Sequence, residues 1–323
     1  MVAAGSLPDF ALAEHKFSMP VGRIGYLYLE PLSFEEFLNA LGNHELHAYM
    51  QNYTWDFDIP DAIRLQLIKL IKEYLIVGGM PAAVLSRKTE NNSSKLNQIH
   101  FDLLATYRGD FVKYKGRLSV ERLEELINAI PQQLGEKLVY SHVNSELSSA
   151  PLKEALDVLS KATICHRMTA TAANSLPLEA EINEKFLKVI MLDCGLCCAE
   201  LGLSRHRLAS VSEISVINNR GMVEQIAGQI LRTIAPPTPS CSLLLATRKK
   251  RGTAETDYVI QHENQGVPVE VKAGRKGSLK SLREFISEKN RTLALRINSD
   301  KPSFHAIETT DFVLSTGTSS PSY

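Results

Sequence analysis

The sequence carries no surplus of charge, with 36 Lys and Arg against 36 Asp and Glu. Attraction to nucleic acid or to an anionic surface through the net field is thereby excluded, so any such affinity has to come from a local patch. No hydrophobic run approaches the ~20 residues of a membrane helix. The nearest, LIVGGMPAAVL at 75–85, is broken by two glycines and a proline, and no membrane partner is expected. The first residues show no basic stretch leading into an apolar core and a cleavage site, so a secretory leader is not expected and a cytoplasmic protein is. A G-x-x-x-x-G-K-[ST] phosphate loop is nowhere in the chain, and the chain by itself is not expected to hydrolyse ATP. Cysteine is scarce and odd in number, five in all, which fits a reducing compartment. Cys194, Cys197 and Cys198 stand close together in DCGLCC, but Cys165 and Cys241 are isolated and give no second pair at zinc spacing. The cluster reads as buried small hydrophobes where a strand turns into a helix.

What is present is an ordinary globular composition, 44% hydrophobic and 22% charged over 323 residues, enough for two domains or one large one with an appendage. The order of elements predicts a multi-domain α/β protein. In GRIGYLYLEPLSFEEFLNAL an alternating run, Ile24 to Leu29, is followed by a helix start in which Ser33 and Glu36 form a capping box. Such a short unit cannot enclose a core alone, so residues 1–45 read as the end of something larger. Helical spacing recurs from Pro60 onward until Gly78 and Gly79 stop it, and Pro81 opens the next helix. The polar segment 88–95 reads as a loop and 96–115 as helix again, making 46–118 a helical linker or lid. Between 119 and 175 two helices and the β-prone ICHRMTA follow the order of a winged-helix-like unit. Its second helix sets Lys153 and Lys161 against Glu154 and Asp157, which favours packing or protein contact over DNA reading. From 176 to 315 the pattern is a strand (KFLKVIMLD), a helix (NRGMVEQIAGQILRTI), a hairpin of SLLLATR with TDYVI, a further strand VPVEVKA, and a closing helix SLKSLREFISEK. Residues 316–323 read as a mobile tail.

Within that last region VPVEVK alternates with period two, valines on one side and Glu270 with Lys272 on the other, thirteen residues after Asp257. Cleaving a phosphodiester without a covalent intermediate calls for a divalent cation that neutralises the phosphate and activates a water. Magnesium takes one or two carboxylates plus waters and substrate oxygens. Asp257 and Glu270, facing the same way on neighbouring strands, would be those metal ligands, with Mn²⁺ as a substitute. Lys272 would orient the water or stabilise developing charge, and Glu224 in the preceding helix would add a third carboxylate. The bland alternative is a solvated edge face with a Glu–Lys neighbour pair. Residues 242 to 290 hold ten Lys or Arg against six Asp or Glu, so the basic stretch 248–289 is a candidate surface for DNA; a protein partner is the other expectation.

The pattern D-x(12)-E-x-K with an upstream helical glutamate resembles the PD-(D/E)XK nuclease superfamily, which implies a mixed sheet flanked by helices and catalytic roles for Glu224, Asp257, Glu270 and Lys272. Here Thr256 stands where that pattern has proline. More widely, GSLP at 5–8, GRIGYLYLEPLSFEEFL at 22–38, IVGGMPAAV at 76–84, KVIMLDCGL, GMVEQ, ETDYVI and PVEVKAG are similar to AAA-type ATPases that carry a C-terminal domain of unknown function, family 4143. The resemblance implies that residues 1–45 are the last part of an ATPase domain, with Ser6 as its polar sensor and Arg23 at the phosphate side, ATP being bound only in a full-length relative. It leaves two functions open: a magnesium-dependent DNA phosphodiesterase, or a catalytically silent platform for protein or nucleic acid.

Overall fold

The computed structural model describes residues 28–54, 57–114, 118–203, 220–234, 244–247, 255–273, 279–303, 308–309 and 312–313. Ser6, Arg23, the run from Ile24 to Leu27, Arg248 to Arg251, Arg275, Lys276 and the tail 316–323 lie outside them. The chain is a mixed α/β protein whose helical part comes first.

The helical part is built from amphipathic segments whose ends follow sequence signals. Helix α1 (Phe34–Ala40) starts on the expected capping box: Ser33 Oγ accepts from the Glu36 amide at 3.2 Å and Glu36 Oε2 from the Ser33 amide at 2.7 Å. Helix α2 (His44–Gln51) follows, then α3 (Asp61–Val77), which ends at Gly78 with φ +74°, backbone that a side chain rarely adopts. Helix α4 (Pro81–Thr89) has its proline at the first turn. Helix α5 (Ser93–Asp110) begins earlier than the polar composition of 88–95 predicts, because Asn92 accepts from the Ser94 and Lys95 amides and turns that segment into a cap. Helices α6 (Val120–Ala129), α7 (Tyr140–Val143) and α8 (Ser149–Lys161) complete this part. Phe37, Tyr74, Leu123, Leu126, Leu152 and Leu159 are among the side chains of its core.

Strands β1 (Cys165–Thr171) and β2 (Ile182–Met191) then lead through the short α9 (Cys194–Glu200) and α10 (Arg220–Ile234) to β3 (Leu244–Thr247), β4 (Glu255–His262), β5 (Gln265–Val271), α11 (Lys280–Lys289) and β6 (Leu295–Ile297). A small pair, β7 (Glu308–Thr309) and β8 (Phe312–Val313), follows. Six strands form one sheet in the order β2-β1-β3-β4-β5-β6, with β1 parallel to β3, β5 parallel to β6, and the other pairs antiparallel. The expected succession of helix, hairpin, strand and helix is present as α10, β3–β4, β5 and α11. The winged-helix-like grouping of 119–175 is corrected at its strand: ICHRMTA is β1, and it pairs with β2 and β3 inside the large sheet. A boundary at 175 would cut that sheet in two. Sheet closure decides the matter, since an isolated β1 would leave its backbone groups unpaired.

One face of the sheet holds α10. Met168, Ile190, Tyr258, Val269 and Val271 from four strands pack with Ala227 and Leu231 of that helix. On the other face Val259 packs with Phe285 of α11. Cys194, Cys197 and Cys198 are buried free thiols, as expected for small hydrophobes at this strand-to-helix turn. Gly195 is required there by close approach, because a Cβ would stand 2.5 Å from the Val77 carbonyl oxygen.

Candidate functional site

The four predicted residues divide into two groups. Glu224 lies in the second turn of α10 and Asp257 in β4, and both side chains are almost fully buried. They meet because β4 carries a bulge. Leu244 pairs with Val259 and Ala246 with Thr256, so Leu245 alone faces the two residues Asp257 and Tyr258. An extra residue of this kind turns adjacent side chains toward one face. Accordingly Tyr258 donates to the Glu224 carbonyl oxygen at 2.5 Å while Asp257 reaches charged partners beside the same helix.

Those partners are two cations that sequence reasoning did not single out. Lys188 of β2, 2% exposed, sets its Nζ 3.0 Å from Glu224 Oε2 and 3.6 Å from Asp257 Oδ1. Arg220, at the start of α10 and 59% exposed, donates from Nε to Glu224 Oε1 at 2.6 Å and from its terminal nitrogen to Asp257 Oδ1 at 2.8 Å. The Val271 amide donates to Asp257 Oδ2 at 2.8 Å. Every oxygen of Glu224 and Asp257 therefore has an internal donor, and the four side chains sum to zero formal charge. Burial pushes the Glu224 carboxyl up to about 7. Lys188 and Arg220 pull it down and the Asp257 charge pushes it up, but desolvation dominates. The site is closed on one side by the turn at Gly135, which lies against Gly221 and within reach of Glu224.

Glu270 and Lys272 form the second group. They pair with each other at 2.5 Å; Glu270 is in β5 between Val269 and Val271, which pack toward α10, and Lys272 stands just past the end of the strand. The pleat therefore turns this pair away from the α10 face, on which Glu224 and Lys188 meet Asp257. Glu270 is 3% exposed, and among the described residues its Oε2 has no hydrogen-bond donor. The spacing predicted that Asp257 and Glu270 would face the same way and share a cation. The bulge in β4 removes the condition on which that rested, because it sends Asp257 to the side of the sheet where Lys188 and Arg220 wait.

The residues present do not fit a two-carboxylate magnesium site. The oxygens of Glu224 and Asp257 are taken by an ammonium, a guanidinium and an amide, and Glu270 offers a single open oxygen. Among the described residues no three His, Cys, Asp or Glu side chains are grouped so as to hold a metal ion. No helix among the described residues is long and apolar enough to cross a membrane.

The two missed cations had modest signals. Lys188 is a lone lysine in the apolar run FLKVIM, and Arg220 stands four residues before Glu224, the spacing of a helical ion pair. A second buried polar network joins α10 to the helical part. Asp193 accepts from the Gly79 amide at 2.6 Å and the Leu196 amide at 3.0 Å, and burial pushes its carboxyl up. Gln225 holds both the amide and the carbonyl of Met191, at 2.8 and 2.9 Å.

Two family descriptions match the chain. Residues 68–207 match a domain of unknown function, DUF8612, and residues 221–316 match a second, DUF4143. No curated protein and no solved structure matches it. Lys188 falls in the first matched region and Glu224, Asp257, Glu270 and Lys272 in the second, so the charge cluster is assembled from both.

Proposed function

We propose that this chain is the accessory C-terminal part of an AAA-type ATPase, in which a nuclease-like sheet keeps its acidic positions as structure and serves as a binding platform for a partner protein or nucleic acid. The observation that carries the reading is the neutralisation of Glu224 and Asp257 by Lys188 and Arg220. Cations of the chain itself take up the oxygens of both buried carboxylates, and carboxylates partnered in this way are a scaffold feature. The DUF4143 match supports the ATPase context, since that domain is often found in the C-terminal regions of such proteins.

The second reading, a Mg²⁺-dependent DNA phosphodiesterase, is favoured by one observation, the Oε2 of buried Glu270, which has no partner among the described residues. Incubation of the purified chain with supercoiled plasmid in Mg²⁺ or Mn²⁺ separates the two. The platform reading expects no nicking and no heat of Mn²⁺ binding by calorimetry. Nicking by the wild-type chain that disappears in both Asp257→Ala and Lys272→Ala overturns it and establishes the phosphodiesterase.

A further inference from the structure

Helix α10 is held at both ends by different parts of the chain. At its start, Arg220 and Glu224 enter the charge cluster. Further along, Gln225, Gln229 and Arg232 recur at helical spacing and bind elsewhere. Gln229 accepts from the Cys194 amide at 2.8 Å and donates to the Tyr74 hydroxyl at 3.0 Å. Tyr74 in turn donates to the Leu32 carbonyl at 2.6 Å. Arg232 pairs with Glu30. The short segment Glu30–Ser33 is thus a strap. It bonds α10 through Glu30, α3 through Tyr74, and the α3–α4 turn through the Leu32 amide, which donates to the Gly79 carbonyl at 2.8 Å. His166 stands 3.9 Å from Glu30, and among the described residues its buried Nε2 has no hydrogen-bond partner.

We infer that the Glu30–Ser33 strap is a conformational input to the charge cluster, acting through α10 as a rigid lever. From Arg220 to Arg232 the helix rises roughly 18 Å at 1.5 Å per residue. A helix of this length shifts as one body, because its own backbone bonds resist bending. Displacing the strap removes the Arg232 anchor and the Leu32 carbonyl that holds the Tyr74 hydroxyl under Gln229, and because the helix moves as one body its opposite end, where Glu224 is bonded to Lys188, is displaced as well. The same shift loosens Asp257 from Arg220, and with it the bond from the Val271 amide. The strap is in this way mechanically connected to the sheet, whether the sheet cuts, binds or does neither. Packed helices and shared hydrogen bonds carry such coupling when both ends bias one element.

Residue-resolved amide exchange on the full chain tests the inference, with Glu30→Ala and Tyr74→Phe as strap variants. Glu30 is part-exposed, so its variant is expected to fold. The control is Leu96→Ala, buried near the start of α5 and outside the bonded chain just described. Exchange is compared at denaturant concentrations that give all proteins equal global stability. Both strap variants are expected to speed exchange of the α10 amides and of the Val271 amide by about tenfold relative to the control, the factor set by losing one such bond. Wild-type protection at Val271 in either strap variant, or equal acceleration in Leu96→Ala, overturns the inference.

Discussion

At the residue scale the stability of the sheet depends on Lys188. Its ammonium is withdrawn from water and is compensated by Glu224 and Asp257. Removing one partner of such a pair strands a buried charge, which costs about 3–5 kcal/mol, far more than an exposed pair is worth. Lys188→Met is therefore expected to lower the urea midpoint sharply. Lys161→Met, which breaks the exposed pair with Asp157, should leave it nearly unchanged. Glu224 adds a pH dependence. Its carboxyl sits near 7 in the folded chain against an ordinary value of about 4.5, so between those two values the folded protein keeps a proton the unfolded chain has released. Stability from this group is highest below about 4.5 and falls as pH rises through 7. Urea titrations at pH 4.5 to 8 are expected to show that fall in the wild type and a flatter profile in Glu224→Gln. From the sequence, the acidic half of the cluster was legible as Glu224 and Asp257. Its basic half was not, because nothing local tells a lysine in an apolar strand that its carboxylates lie 36 and 69 residues further on.

At the scale of elements, α10 and the β4 bulge fit one another through a missing side chain. A Cβ on Gly228 would stand 2.6 Å from the Tyr258 hydroxyl and 2.9 Å from Ile190 Cδ1. Gly228→Ala is expected to push α10 off the sheet and cost about 1–3 kcal/mol, despite the better helix propensity of alanine. Near-ultraviolet circular dichroism, which reports the packing of the aromatic side chains, Tyr258 among them, is the measurement, with thermal melting beside it. Periodicity exposed the helix, the hairpin and the Val267–Val271 strand because each is written in adjacent residues. The bulge was hidden: it adds one residue to β4 relative to β3, and no composition signal marks the place. Alternation was therefore a good guide to Glu270 and a poor one to Asp257.

At the scale of the whole molecule, one sheet draws strands from both matched regions. Strand β1 lies between β2 and β3, so β3 has a neighbour from residues 68–207 on one side and β4 on the other. A fragment spanning 221–323 would lose that neighbour, the α9 contact and Lys188 together. It is expected to be unfolded or aggregated when produced alone, as judged by far-ultraviolet circular dichroism and amide dispersion, whereas 28–323 should give a cooperative transition. The parallel pairing of β1 with β3 was out of reach of sequence reasoning, since it joins residues about 75 apart with β2, α9 and α10 between them. Local patterns identify strands but not which strand lies beside which.

The shared ion cluster also bears on how such a chain can change over generations. A substitution at Lys188 strands acids that lie beyond the next helix, so tolerated replacements there should come accompanied by a neutral residue at Glu224 or Asp257. The two halves of the polypeptide are in that respect one heritable unit, and transplanting either onto a foreign neighbour would need the other half of the lock to travel with it.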